Sequence, residues 1–374
     1  MKKAVCLLFC VILLFSPISV SAVSTSAKAA ILINGDTGET IFEQKADCQL
    51  PMASTTKIMT ALLLCESGDL QKEITVTSQM LRVEGSSMGL LAGDRVTLHD
   101  LLYGMLLASG NDAANVTACI LGGTVDGFVK LMNEKAAELR LKNTHFETPS
   151  GLDGDSHYTT ARDLAMLARY AMQNEIFAEA ASSKSAVLNY GNPPYKRTLT
   201  NHNKLLKSFD GAIGVKTGFT KKSGRCLVSA AKRDGKYVIA VTLNDPDDWK
   251  DHTTLLEYGL EKITLTEISP EKASYSLPVV GADIRNINVN MPTRFFSTVD
   301  DEQISCEVNL PKFVYAPITK GEVLGSLVYK KGNEVIDSVP LSADINIEPS
   351  AIKRGLAEII FEKIKYIYFN LWEK

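Results

Sequence analysis

The sequence predicts an α+β protein in three parts: a mixed domain over residues 23–266, a small all-β domain over 270–347 and a terminal amphipathic helix over 350–374. Three observations carry that reading. Helical periodicities in the first part are flanked on both sides by strand-like hairpins. Near Ser269-Pro270 the texture shifts to short β-type runs punctuated by Pro and Gly, with no helical period. From Ser350 onward an apolar stripe at helical spacing returns.

Residues 1–22 read as a secretory signal peptide. Lys2 and Lys3 precede an apolar run from Ala4 to Phe15, and Val20-Ser21-Ala22 offers a small-residue cleavage site. That run is shorter than the ~18 residues a spanning helix needs, so export with cleavage is expected. Ala29 to Ile33 and Thr40 to Phe42, joined through Asn34-Gly35-Asp36, read as a hairpin. A helical pattern runs from Thr56 to Cys65. Another carries Leu98, Leu101, Leu102, Met105 and Leu106 behind Thr97 and Asp100, a capping-box signature. A second box, Thr160 with Asp163, opens a helix with Leu164, Leu167 and Ala171. Arg225 to Lys232 and Lys236 to Leu243 flank Asp234-Gly235, a strong hairpin turn. In the β part, Ile304 to Leu310, Val323 to Tyr329 and Glu334 to Pro340 read as strands.

The tail stripe comprises Ile352, Leu356, Ile359, Ile360, Ile364, Ile367 and Leu371, with Phe361, Tyr368 and Trp372 beside it. Charges interrupt it too often for a spanning helix. Aromatics and an excess of lysine suit a helix lying in the membrane interface, which with the export signal means the outer face of the cytoplasmic membrane.

Composition narrows the function. A formal net charge of −3 gives no electrostatic reason to expect nucleic acid. After the signal peptide the chain keeps Cys48, Cys65, Cys119, Cys226 and Cys306, an odd set at irregular spacing without a disulfide framework or a metal pair. The histidines are dispersed. Neither a metal nor another cofactor is expected.

Three short strings carry the chemistry: Ser54-Thr55-Thr56-Lys57, Ser109-Gly110-Asn111 and Lys216-Thr217-Gly218. Residues i and i+3 share a helix face, so the Lys57 amine can reach the Ser54 hydroxyl. A serine is a weak nucleophile until a base takes its proton, and a desolvated lysine can be that base. Ser109 and Asn111 add a hydroxyl and an amide for proton relay and substrate orientation. Lys216 and Thr217 add a cation and a hydroxyl for a substrate carboxylate. Backbone N–H groups of Ser54 and of Phe219, just beyond Gly218, would form the oxyanion hole.

The order of the strings is that of penicillin-binding proteins and class A β-lactamases. Gly85-Ser86-Ser87-Met88, Asn111-Asp112-Ala113-Ala114, Ser150-Gly151-Leu152-Asp153, His157 with Thr160-Ala161-Arg162-Asp163, and Gly214 to Thr220 extend the likeness. The mature chain resembles the low-molecular-mass penicillin-binding proteins, the D-alanyl-D-alanine carboxypeptidases of serine peptidase family S11. The resemblance implies a β-lactamase/transpeptidase-like catalytic domain, a β-rich second domain and a C-terminal membrane anchor. It also implies removal of the terminal D-alanine from peptidoglycan pentapeptide stems, with β-lactams as covalent inhibitors. A D,D-endopeptidase acting on cross-links stands as one alternative and a class A-like β-lactamase as another. The latter needs a deacylating glutamate, and the nearest string, Glu138 to Lys142, lacks the expected asparagine. One departure stands out: no arginine lies between Asn244 and Leu256, where some family members carry one near the carboxylate site. Recognition then rests on Lys216 and Thr217, or on another residue such as Arg225.

Overall fold

A five-stranded antiparallel sheet, in which residues 40–44, 29–34, 236–243, 224–233 and 212–220 lie side by side in that order, organises the first unit of the computed structural model, which describes residues 23–299, 303–350 and 360–365. The signal peptide and most of the tail helix lie outside the described residues. β1 (Ala29–Asn34) and β2 (Thr40–Gln44) form the expected hairpin. After a 3-10 turn at Ala53–Thr56, α1 (Lys57–Glu66) leads to β3 (Glu73–Thr75), β4 (Arg95–Thr97) and α2 (Leu98–Leu106). Next come α3 (Asn111–Gly122), α4 (Val125–Glu138), α5 (Ala161–Ala171) and α6 (Glu175–Ser182). The hairpin of β5 (Ser185–Gly191) and β6 (Pro194–Thr200) joins β3 and β4 in a small second sheet. A short α7 (Leu205–Ser208) precedes β7 (Ala212–Thr220), β8 (Gly224–Arg233), β9 (Lys236–Leu243) and α8 (Asp248–Lys262).

Every residue of β1 is buried, so both faces of the sheet are covered. Ile31 and Ile33 join the main core with α1 to α6, while Leu32 and Val238 lie under α8. There Gly259 lets the helix approach closely: a Cβ would sit 2.9 Å from both side chains. The Asp234-Gly235 turn takes positive φ at both residues (51° and 77°), the geometry that suits the twist of a two-residue hairpin.

The Thr97–Asp100 capping box forms in both directions. At α5 only half of the second box forms. Thr160 accepts from the Asp163 amide, but the Asp163 carboxylate accepts from the Asn143 amide and the Thr144 hydroxyl, tying the preceding loop to the helix.

The second unit begins at Thr264. Its strands are β10 (Thr264–Ile268), β11 (Ser274–Val280), β12 (Asn286–Asn290), β13 (Arg294–Thr298), β14 (Ile304–Asn309), β15 (Val314–Tyr315), β16 (Val323–Lys331) and β17 (Glu334–Ser342). They form three small sheets around Leu277, Ile287, Val289, Leu327, Tyr329 and Ile347.

Candidate active site

Ser54 sits in the 3-10 turn leading into α1, one residue after Ala53, which is held at φ 48°. An alanine in the left-handed region must be secured by its surroundings. Thr56 Oγ1 donates to the Ala53 carbonyl (2.8 Å) and itself meets His157 Nε2 (2.8 Å). His157 Nδ1 accepts from the Glu147 amide (2.9 Å), so Nε2 carries the proton and donates to Thr56. Burial lowers the His157 pKa to about 4, which keeps the ring neutral. Gly151 closes the seat: at φ +85°, a Cβ there would lie 1.9 Å from the Ala53 oxygen.

Lys57 is fully buried, and its Nζ has three neighbours: Ser54 Oγ at 2.9 Å, Asn111 Oδ1 at 2.7 Å and the Ser150 carbonyl at 2.6 Å. The Asn111 amide is oriented by its other end, where Nδ2 donates to the Glu84 carbonyl. Two of the three neighbours can therefore only accept. A neutral amine spends its two N–H bonds on them and turns its lone pair toward the Ser54 hydroxyl. Burial, and then the charge of Lys216, push the Lys57 pKa well down, with Asp112 partly opposing.

Lys216, on edge strand β7, is also buried, with Nζ 3.1 Å from Ser109 Oγ and 3.0 Å from the Thr217 carbonyl. Burial lowers its pKa to about 7. Ser109 stands at φ 58° between α2 and α3, and Asn111 is the first residue of α3. Asp112 braces the facing loop, its carboxylate accepting from Ser87 Oγ and from the amides of Met88, Gly89 and Leu90. The β5–β6 hairpin supports the same loop through Tyr190, whose hydroxyl donates to the Met88 carbonyl. Gly218 brings β7 against Ser54: a Cβ there would lie 3.1 Å from the Ser54 and Thr55 amide nitrogens.

These residues open on a cleft of about 340 Å³ whose lining includes Ser54, Ser109, Thr217, Gly218, Phe219 and Arg225. All three strings thus meet at one place. Sequence reasoning did not find the Ser150 carbonyl, the Asp112 brace or the Thr56–His157 strut, since each works through backbone or through contacts distant in sequence. Arg225 pairs in register with Phe219 and donates to Asp248 Oδ2 at 2.8 Å. The Asp248 side chain is 4% exposed and the Arg225 side chain 41%, so a buried carboxylate aims a cation whose remaining donors face solvent. Trp249 flanks it, 5.7 Å from ring centroid to guanidinium. Glu138 is exposed at the end of α4 and pairs with Lys135. It does not line the cleft.

Residues 16–247 match the D-alanyl-D-alanine carboxypeptidase family, and residues 274–349 match the C-terminal domain of penicillin-binding protein 5. Relatives include D-alanyl-D-alanine carboxypeptidase DacF of Bacillus subtilis, 32% identical and covering 86% of each chain. DacC of Escherichia coli is 29% identical over 95% of this chain and 92% of its own. Among solved structures, DacD of Francisella tularensis superposes with a TM-score of 0.63 at 28% identity, covering 87% of this chain and 95% of that one. The Streptomyces K15 DD-transpeptidase gives 0.61 at 34% identity, over 64% and 98%. The fold and the serine–lysine centre define a serine acyl-transfer enzyme with a penicillin-binding-protein-like catalytic domain and an appended β domain. The chain belongs to the D-alanyl-D-alanine carboxypeptidase family of serine peptidases.

Proposed function

We propose that this carboxypeptidase removes the terminal D-alanine of peptidoglycan pentapeptide stems through an acyl-enzyme on Ser54. The observation that carries the mechanism is the Lys57 amine, whose two obligate acceptors leave its lone pair for the Ser54 hydroxyl. Neutral Lys57 takes the Ser54 proton as Oγ attacks the penultimate carbonyl. The oxyanion lies between the N–H groups of Ser54 and Phe219, aided by the N-terminal end of α1. The proton reaches the departing amine through Ser109 and Lys216, expelling D-alanine. Lys57, neutral again, deprotonates the water that cleaves the ester. Asn111 orients the peptide amides.

In this reading Lys216 serves the relay, because its amine is buried on Ser109 and does not line the cleft. The terminal carboxylate is received by the Thr217 hydroxyl and Arg225, which supplies the cation missing between Asn244 and Leu256. Penicillin acylates the same serine. Measuring D-alanine release from a pentapeptide tests the function: the wild type should release it, while Ser54→Ala should not. Cleavage of cross-linked dimers with no pentapeptide turnover would favour the endopeptidase instead.

For location, we infer that residues 1–22 direct export and that the 350–374 helix holds the enzyme on the outer face of the cytoplasmic membrane. No helix among the described residues is long and apolar enough to cross a bilayer. The apolar stripe and lysines of the tail support interfacial binding.

A further inference from the structure

The β domain carries an apolar patch at the point where the tail leaves it. β15 lies parallel to the end of β11, pairing Tyr315 with Val280. Tyr315 is 65% exposed, Val280 and Phe313 are each 44% exposed, and Ile284, in the adjoining turn, 46%. Phe313 and Tyr315 are two residues apart and their rings meet edge-on at 5.4 Å, so they project from one side. The chain exits here: the Ser350 amide donates to the Gly281 carbonyl (2.7 Å), and its hydroxyl donates to Asp283 (2.9 Å). Arg285, Lys312 and Lys320 are exposed in the neighbouring stretches, as are Asp283 and Glu348.

Single exposed apolar residues are ordinary, but four gathered at a chain exit make a surface that seeks cover. In the described part of the tail, Ile360, Phe361 and Ile364 are themselves 49%, 71% and 52% exposed. Two apolar surfaces, joined by a short stretch of chain and each accompanied by basic residues, call for the same third partner. Aromatic and aliphatic side chains with lysine and arginine around them match the headgroup boundary of an anionic bilayer.

We propose that Val280, Ile284, Phe313 and Tyr315 form a second lipid-contact surface, seating this end of the β domain in the headgroup region beside the tail. The proposal rests on the interfacial reading of the tail. Linking the two contacts multiplies their affinity, so a patch too small to bind alone still strengthens the anchor.

Partitioning onto phosphatidylcholine vesicles, with and without phosphatidylglycerol, tests this for the full mature chain and for one ending at Ser350. Phe313→Ser with Tyr315→Ser should weaken full-chain partitioning onto the anionic vesicles by about tenfold, with penicillin acylation unchanged. Partitioning that stays within about twofold overturns the proposal. So does a double variant that lowers the melting temperature of the full chain but not of the shortened one, which would mean that the tail itself covers the patch. If the shortened chain partitions as well as the full one, the tail reading fails, and the double variant still decides the patch. Should that variant not fold, Tyr315→Trp in a Trp249→Phe, Trp372→Phe background, where it is the sole tryptophan, replaces it. Its emission should shift to the blue and be quenched by brominated lipid; unmoved emission overturns the proposal.

Discussion

Lys57 Nζ lies 2.9 Å from Ser54 Oγ, and its two remaining partners, Asn111 Oδ1 and the Ser150 carbonyl, are groups that only accept. In the proposed mechanism that relationship makes the buried lysine a directed base. Protonated, Lys57 satisfies all three neighbours as a donor; neutral, it keeps two and faces the serine with its lone pair. Burial and the neighbouring Lys216 favour the neutral form.

Lys57→Arg keeps a cation but removes the proposed base, because a guanidinium does not deprotonate near neutral pH. Stopped-flow acylation by benzylpenicillin should slow by at least about 10²–10⁴-fold. An arginine variant that acylates at the wild-type rate would show that the Ser54 proton goes elsewhere.

Burying Lys216 costs the native state stability. Its folded pKa of about 7 lies below the ordinary value of 10.5. Between those values the unfolded chain holds a proton that the native site lacks, so stability rises with pH across this window and is lost as pH falls toward 7. Lys216→Met should therefore gain more in melting temperature, relative to wild type, at pH 7 than at pH 10, while losing turnover. A gain that grows with pH would contradict this.

In the proposed reading Arg225, held by Asp248, receives the substrate carboxylate. Arg225→Gln should cost about 1.5–3 kcal/mol in kcat/KM, roughly 10- to 150-fold, on peptides with a free C-terminus. A C-terminally amidated peptide should react slowly with the wild type and lose nothing further in the variant. If both peptides suffer equally, Arg225 acts on structure rather than on the carboxylate.

The Thr56–His157 strut should behave as a positioning element. Thr56→Val leaves a buried His157 N–H without a partner, at about 1–3 kcal/mol, and frees the Ala53 carbonyl. Thr56→Ser should rescue both melting temperature and acylation rate. With a His157 pKa of about 4 against 6.5 unfolded, wild-type stability should fall as pH drops through that interval. His157→Gln should flatten this loss, as seen in melts at stepped pH.

Much of this was legible because it is local. The hairpin at Asp234-Gly235, the Thr97–Asp100 box and the helix after Ser54 are each specified by neighbours in sequence, and all appear. The three strings were legible as a set, since a serine, two lysines and an asparagine in that order have few other uses. What escaped depends on residues far apart. The β5–β6 hairpin exposes most of its side chains, so its alternation is faint, and its place beside β4 is visible only in three dimensions. In sequence Asp248 is one of several acids after β9, and only the fold sets it against Arg225 from the neighbouring strand. Asp163 read as half of a capping box, but its carboxylate serves the loop at Asn143 and Thr144.

The central claim is that Ser54, activated by Lys57, is the residue acylated. Mass spectrometry of the proteolysed penicillin adduct tests it most directly. The penicilloyl mass should fall on the peptide containing Ser54, and Ser54→Ala should carry none. An adduct on any other residue, or a labelled Ser54→Ala enzyme, would contradict the account.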